Sequence, residues 1–152
     1  MMTLFSQLVD FYQDIGFPMT HAEGTTILSA RYQGKNALWT FIASSDEDNR
    51  ILIMFARAPE PCPPERMAEM SAFLERSNFG MTHGAWVMDR DDGEIRFRVG
   101  VDLQHLQLYD DYIRSLTLYT NGTMDHYVNG LQAIIKDQKS AKEAFRMVFP
   151  NG

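Results

Sequence analysis

Residues 37–43 and 51–56 form two β-rich runs that are apolar on both faces of an extended strand. Side chains on a strand alternate between opposite faces. In the first run Trp39 and Phe41 point one way and Leu38 and Ile42 the other. In the second, Ile51, Ile53 and Phe55 oppose Leu52 and Met54. A sheet built on these strands exposes an apolar face unless helices or a second chain cover both sides. This constraint makes Trp39, Phe41 and Met54 candidates for a partner surface.

The flanking segments supply helices. Leu4, Phe5, Leu8, Val9, Tyr12 and Ile15 recur at spacings of three and four, so residues 4–15 are expected to be helical. Thr3 stands at the N-cap position, and Gly16 and Pro18 mark the end. Residues 25–32 form a first strand, and short turns then lead through the two apolar runs as an antiparallel meander. A stiff, proline-rich connector, residues 59–64, hands over to a helix at 64–77, which Asn78 terminates.

Residues 84–88 and 94–99 read as a hairpin around Asp92-Gly93, since glycine supplies the positive φ that such turns use. Helical spacing resumes from Leu106 and continues to Ile135. Asn121-Gly122 costs helix stability, so a break or kink is expected there. Ser140 and Glu143 form a capping box for a last short helix. The expected order is α-β-β-β-α-β-β-α-α, an α+β fold with helices packed on a five-stranded antiparallel sheet. No repeat or long linker divides it, so residues 1–152 are expected to form a single domain.

Charge narrows the partners. The chain has 14 Lys+Arg against 20 Asp+Glu, a net charge of −6. An acidic surface repels phosphate backbones and anionic membranes, so neither nucleic acid nor a membrane is the expected partner. Asp10 and Asp14 interrupt the apolar N-terminal stretch, which also lacks a basic flank, so it does not read as a signal peptide. With one cysteine, Cys62, no internal disulfide forms. The expected location is cytoplasmic.

Catalytic chemistry finds little footing. His21, His83, His105 and His126 lie far apart, with no ligand at metal-binding spacing. The run from Asp89 to Glu94 lacks the glycine position and terminal glutamate of a calcium loop. Cys62 sits between prolines, away from a helix N-terminus or a second cysteine. Phosphate-binding loops and nucleophile elbows are absent. The carboxylates at 46–48 and 89–94 fall at turn tips, where a solubilising role is expected. Arg96 and Arg98 share one face of their strand, with Arg31 or Arg57 as candidate neighbours, and either pair locally with carboxylates or receive an acidic partner or phosphate. No catalytic, cofactor or metal residue is expected.

The hairpin also carries a resemblance. Asn78-Phe79, the strand from Gly84-Ala85-Trp86 to Asp89, and Asp92-Gly93-Glu94-Ile95-Arg96-Phe97-Arg98-Val99 resemble the YbjN-like family of bacterial sensory transduction regulators. Met124-Asp125-His126-Tyr127 and Ser140-Ala141-Lys142-Glu143-Ala144 are similar to its later helices. The resemblance spans nearly the whole chain and departs from the family pattern at Asn121-Gly122. It implies a fold like that of type III secretion chaperones, which are often dimeric and hold partly unfolded clients in apolar grooves.

The expected function is therefore non-enzymatic protein binding, chaperone-like or regulatory, with a homodimer as the implied form. Trp39, Phe41, Met54, Arg96 and Arg98 are the candidate surface. One alternative is a signalling or transcription regulator that binds its partner through the hairpin from Asp89 to Arg98. Another is an enzyme site around His83, Asp89 and Arg98.

Overall fold

The computed structural model describes residues 2–151. Helix α1 (Leu4–Asp14) begins where the Thr3 side chain accepts the Ser6 N–H, and Gly16 follows in the left-handed region at φ 72°. Its start has a second cap. The Glu47 carboxylate accepts from the backbone N–H groups of Leu4 and Phe5, each at 3.0 Å. This turn-tip carboxylate thus holds a helix end, where the sequence suggested only solubility.

Among the described residues the sheet has six strands, not five. They are β1 (Thr20–His21), β2 (Ile27–Gln33), β3 (Leu38–Asp46), β4 (Ile51–Arg57), β5 (Ala85–Met88) and β6 (Ile95–Asp102). The extra strand, β1, has two residues and pairs with β2 through Thr20 and His21. So short a segment carries no readable alternation. All neighbours are antiparallel, in the order β1-β2-β3-β4-β6-β5. The longest strands, β3 and β6, flank β4 at the centre.

Between β4 and β5 the chain makes a short 3-10 turn (Pro64–Arg66) and helix α2 (Met67–Phe79). Asn78 does not end this helix; it ties the helix to the sheet. Its side chain donates to the Trp86 carbonyl at 2.9 Å and accepts the Trp86 N–H at 2.7 Å. The β5–β6 turn depends on Gly93, at φ 81°, where a Cβ would clash with the Cys62 carbonyl oxygen. Only glycine allows the proline connector to approach this closely.

Helix α3 (Asp110–Lys136) crosses the sheet, and α4 (Ala141–Val148) packs on α2 and α3 with both halves of its Ser140–Glu143 capping box formed. The expected break at Asn121-Gly122 is absent: α3 runs through both residues. Asn121 is 1% exposed. Its oxygen accepts the Trp39 indole N–H at 2.9 Å, and its nitrogen donates to the Thr117 carbonyl at 2.9 Å. The amide that weakens an isolated helix here satisfies a buried donor of the sheet. One helical turn further along, Asp125 accepts the N–H groups of Lys35 and Asn36, fixing the β2–β3 turn against α3. Tyr12 adds a third tie, sharing a 2.7 Å hydrogen bond with Thr117.

Opposite effects are expected from adjacent residues of α3. Asn121→Ala leaves the Trp39 N–H buried without an acceptor and should cost about 2 kcal/mol. Gly122→Ala places a methyl where nothing lies within 4 Å, and should stabilise by roughly 0.5–1 kcal/mol through helix propensity. Urea denaturation measures both; effects of the same sign would contradict this reading of the continuous helix.

Candidate functional site

The helices all lie on one side of the sheet. Trp39, Phe41, Leu52, Met54, Phe97 and Val99 face them and are at most 2% exposed. Trp39 bonds to α3, Phe41 meets the Tyr12 ring of α1 edge-on at 6.3 Å, and the Met54 sulfur is 3.9 Å from the Thr117 hydroxyl. Trp39, Phe41 and Met54 are therefore core residues and not a partner surface. Strand alternation was readable for them, but which face the helices cover is a property of the whole chain.

The opposite face carries Arg96 and Arg98, and the strand registers assemble it in rows. Arg31, Thr40, Arg57, Arg96 and Val87 lie side by side across five strands. The next row is Ser29, Ile42, Phe55, Arg98 and Ala85. Then come Ile27, Ser44, Ile53 and Gly100, and finally Asp46, Ile51 and Asp102. Ile42 is buried between its neighbours, Ile53 and Phe55 are half-buried, and Ile27 is exposed. Among the described residues, no helix covers them. They form an apolar centre with guanidiniums toward one end and carboxylates at the other.

The basic end is under-neutralised. Glu94 is the carboxylate beside it, paired with Arg57 at 3.5 Å and with the Arg96 guanidinium. Arg96 also lies over the Phe55 ring, 4.3 Å from its centroid. Arg31 and Arg57 both reach the Thr40 hydroxyl, each at 3.4 Å. Among the described residues, neither Arg31 nor Arg98 forms a salt bridge. Four guanidiniums, with Glu94 and Asp89 as the nearby carboxylates, concentrate positive charge on one face of a chain whose net charge is −6. At the far end Asn49 donates twice to Asp46, holding that carboxyl below its ordinary range and ionised.

Other candidate chemistry does not converge. Asp89 and Arg98 line a shallow pocket of about 320 Å³ with Val87, Met88, Glu94 and Arg96. His83 is not in it; its ring stacks on Tyr119 of α3. Cys62 is buried, and burial pushes its thiol pKa up, away from a reactive thiolate. Among the described residues no three His, Cys, Asp or Glu side chains are grouped to hold a metal. A second apolar surface lies on the helix side, a groove of about 510 Å³ lined by Met81, Leu118, Tyr119, Gly122 and Phe149. Beside it Phe79 is 94% exposed. Sequence reasoning did not single out this groove, since its residues come from three separate segments.

A family model described as "putative bacterial sensory transduction regulator" matches residues 6–132. The chain belongs to the YbjN family. The crystal structure of YbjN from E. coli, described as a putative transcription regulator, superposes with a TM-score of 0.60 at 10% sequence identity. The match covers 88% of this chain and 89% of that one. At that identity it shows the shared fold. No curated protein matches the chain. The YbjN-family segments quoted from the sequence now have structural causes: Asn78 clamps β5, Gly93 admits the connector, and Asp125 holds the β2–β3 turn. Of that hairpin, Arg96 and Arg98 turn their guanidiniums to the open face, beside Val87 and Ala85. Among the described residues, no helix is long and apolar enough to cross a membrane.

The two faces should respond oppositely to a buried charge. Phe41→Asp is expected to abolish cooperative folding, at a cost above about 4 kcal/mol. Phe55→Asp should fold, with a stability change within about 1 kcal/mol for loss of the cation–π contact and partial burial. Circular dichroism with urea titration compares them; equal losses would place Phe55 in a covered core.

Proposed function

We propose that this chain is a single-domain, non-enzymatic module of the bacterial cytoplasm that works by binding other proteins, in a chaperone-like or regulatory role. The observation that supports this reading is the open outer face of the sheet, with Ile42, Ile53 and Phe55 at its centre and four arginines around them. Arginine and aromatic side chains dominate the energetics of protein interfaces. A broad face of this kind suits a macromolecule better than a small molecule, which needs a concave site. The family description as a regulator agrees with a binding role, and the helix-backed sheet suits the chaperone-like arrangement that the resemblance implies.

A second reading places the partner on the β5–β6 hairpin alone. It draws on Arg98, which has no ion-pair partner among the described residues and borders the shallow pocket there.

A photoreactive residue incorporated in the native host separates these readings. Position 55 is expected to yield protein adducts, while position 75, on the exposed side of α2, yields none. Adducts at position 91 of the hairpin without adducts at 55 would favour the second reading. Absence of adducts at both 55 and 91 would overturn the proposal.

A further inference from the structure

The outer face is complementary to itself. Its basic row, Arg31, Arg57 and Arg96, and its acidic row, Asp46, Ile51 and Asp102, are separated by six residues of β4, from Arg57 to Ile51. At about 3.3 Å per residue that is roughly 20 Å along the strands. The apolar rows of Phe55 and Ile53 lie between them. Gly100 leaves open space in the Ile53 row, since a Cβ there meets nothing within 4 Å.

We propose that a second copy of the chain packs on this face, about a twofold axis that runs across the strands between the Phe55 and Ile53 rows. This rests on reading the face as an interaction surface and names its occupant. Rotation about such an axis sets each strand over its own counterpart and reverses its direction. Arg96 then stands over the partner's Asp102, and Asp102 over the partner's Arg96. Phe55 covers the partner's Ile53. Arg98 enters the space over the partner's Gly100. Arg57 meets the partner's Ile51, which Asp46 and Asp102 flank on neighbouring strands.

The other face-to-face twofold, parallel to the strands, lays the arginine row on the partner's arginine row. Like charges in direct opposition disfavour it, so charge selects one pairing of the two. Packed sheets of this aligned kind cross at about 30°, which displaces the outer rows by roughly 5 Å and leaves the central pairs near the axis. Flexible guanidinium stems span that displacement. The arrangement turns both helix layers outward and leaves the Met81–Phe149 groove of each copy free.

Complementary charge reversal tests it. By light scattering the unaltered chain is expected to be a dimer, and Arg96→Asp or Asp102→Arg alone should weaken it by at least about tenfold. Mixed in equal amounts, the two variants should recover association as a heterodimer, because each reversed charge then faces its opposite. Gly100→Val supplies a variant without charge change; it should weaken the dimer while the monomer keeps its circular dichroism. A chain that stays monomeric at about 100 μM, variants that dimerise unchanged, or a mixture that gains nothing would each overturn the inference. If the chain is monomeric and position 55 still gives adducts to another protein, this inference fails and the interaction-face reading stands. Absence of any adduct at 55 removes the basis of both.

Discussion

The hydrogen bond from the Trp39 indole to Asn121 joins the start of β3 to the middle of the longest helix. Tyr32 stacks on the same indole at 5.6 Å, and Asp125 grips the adjoining β2–β3 turn. These contacts commit α3 to the face that carries Phe41, Met54 and Phe97. With α3 in place, α1 reaches it through Tyr12 and Thr117, and α2 and α4 close the same layer. No helix is then left for the opposite face. The open surface is thus a consequence of how firmly the covered one is anchored.

An uncovered apolar sheet face is costly unless something shields it. Arginine does this in part, because its aliphatic stem lies along apolar surface while the guanidinium stays in water. Arg96 over Phe55 is the clearest instance, and such contacts contribute roughly 0.5–1 kcal/mol. The sheet edges are managed separately. β1 and β5 have two and four residues, too short to offer a long template for strand addition.

Much of the fold was readable locally. The Thr3 cap, the Gly16 stop, the Asp-Gly hairpin and the Ser140 capping box each depend on a few consecutive residues, and each is present. The failures have a common origin in distance along the chain. Asn121 looked like a helix breaker because its acceptor role depends on Trp39, eighty-two positions away. Glu47 looked like a solubilising charge because the helix it caps begins forty-three positions earlier, before the meander. β1 is recognisable only through its pairing with β2.

The candidate face was half legible. Arg96 and Arg98 were identified from strand alternation, while Trp39, Phe41 and Met54 were assigned to the wrong side. Placing Arg96 beside Arg57, and Arg98 beside Phe55, requires knowing that β6 pairs with β4. That neighbour relation is set by the α2 crossover and not by any local pattern.

Solvent paramagnetic relaxation of side-chain resonances, recorded with a soluble gadolinium chelate, tests the open face most directly. In dilute protein the methyls of Ile27 and Ile53 are expected to relax strongly while those of Leu52 and Met54 do not. Protection of Ile53 should then grow as the protein concentration rises. Ile53 methyls as shielded as those of Leu52 in the dilute chain would contradict the account, because the outer face would already be covered from within.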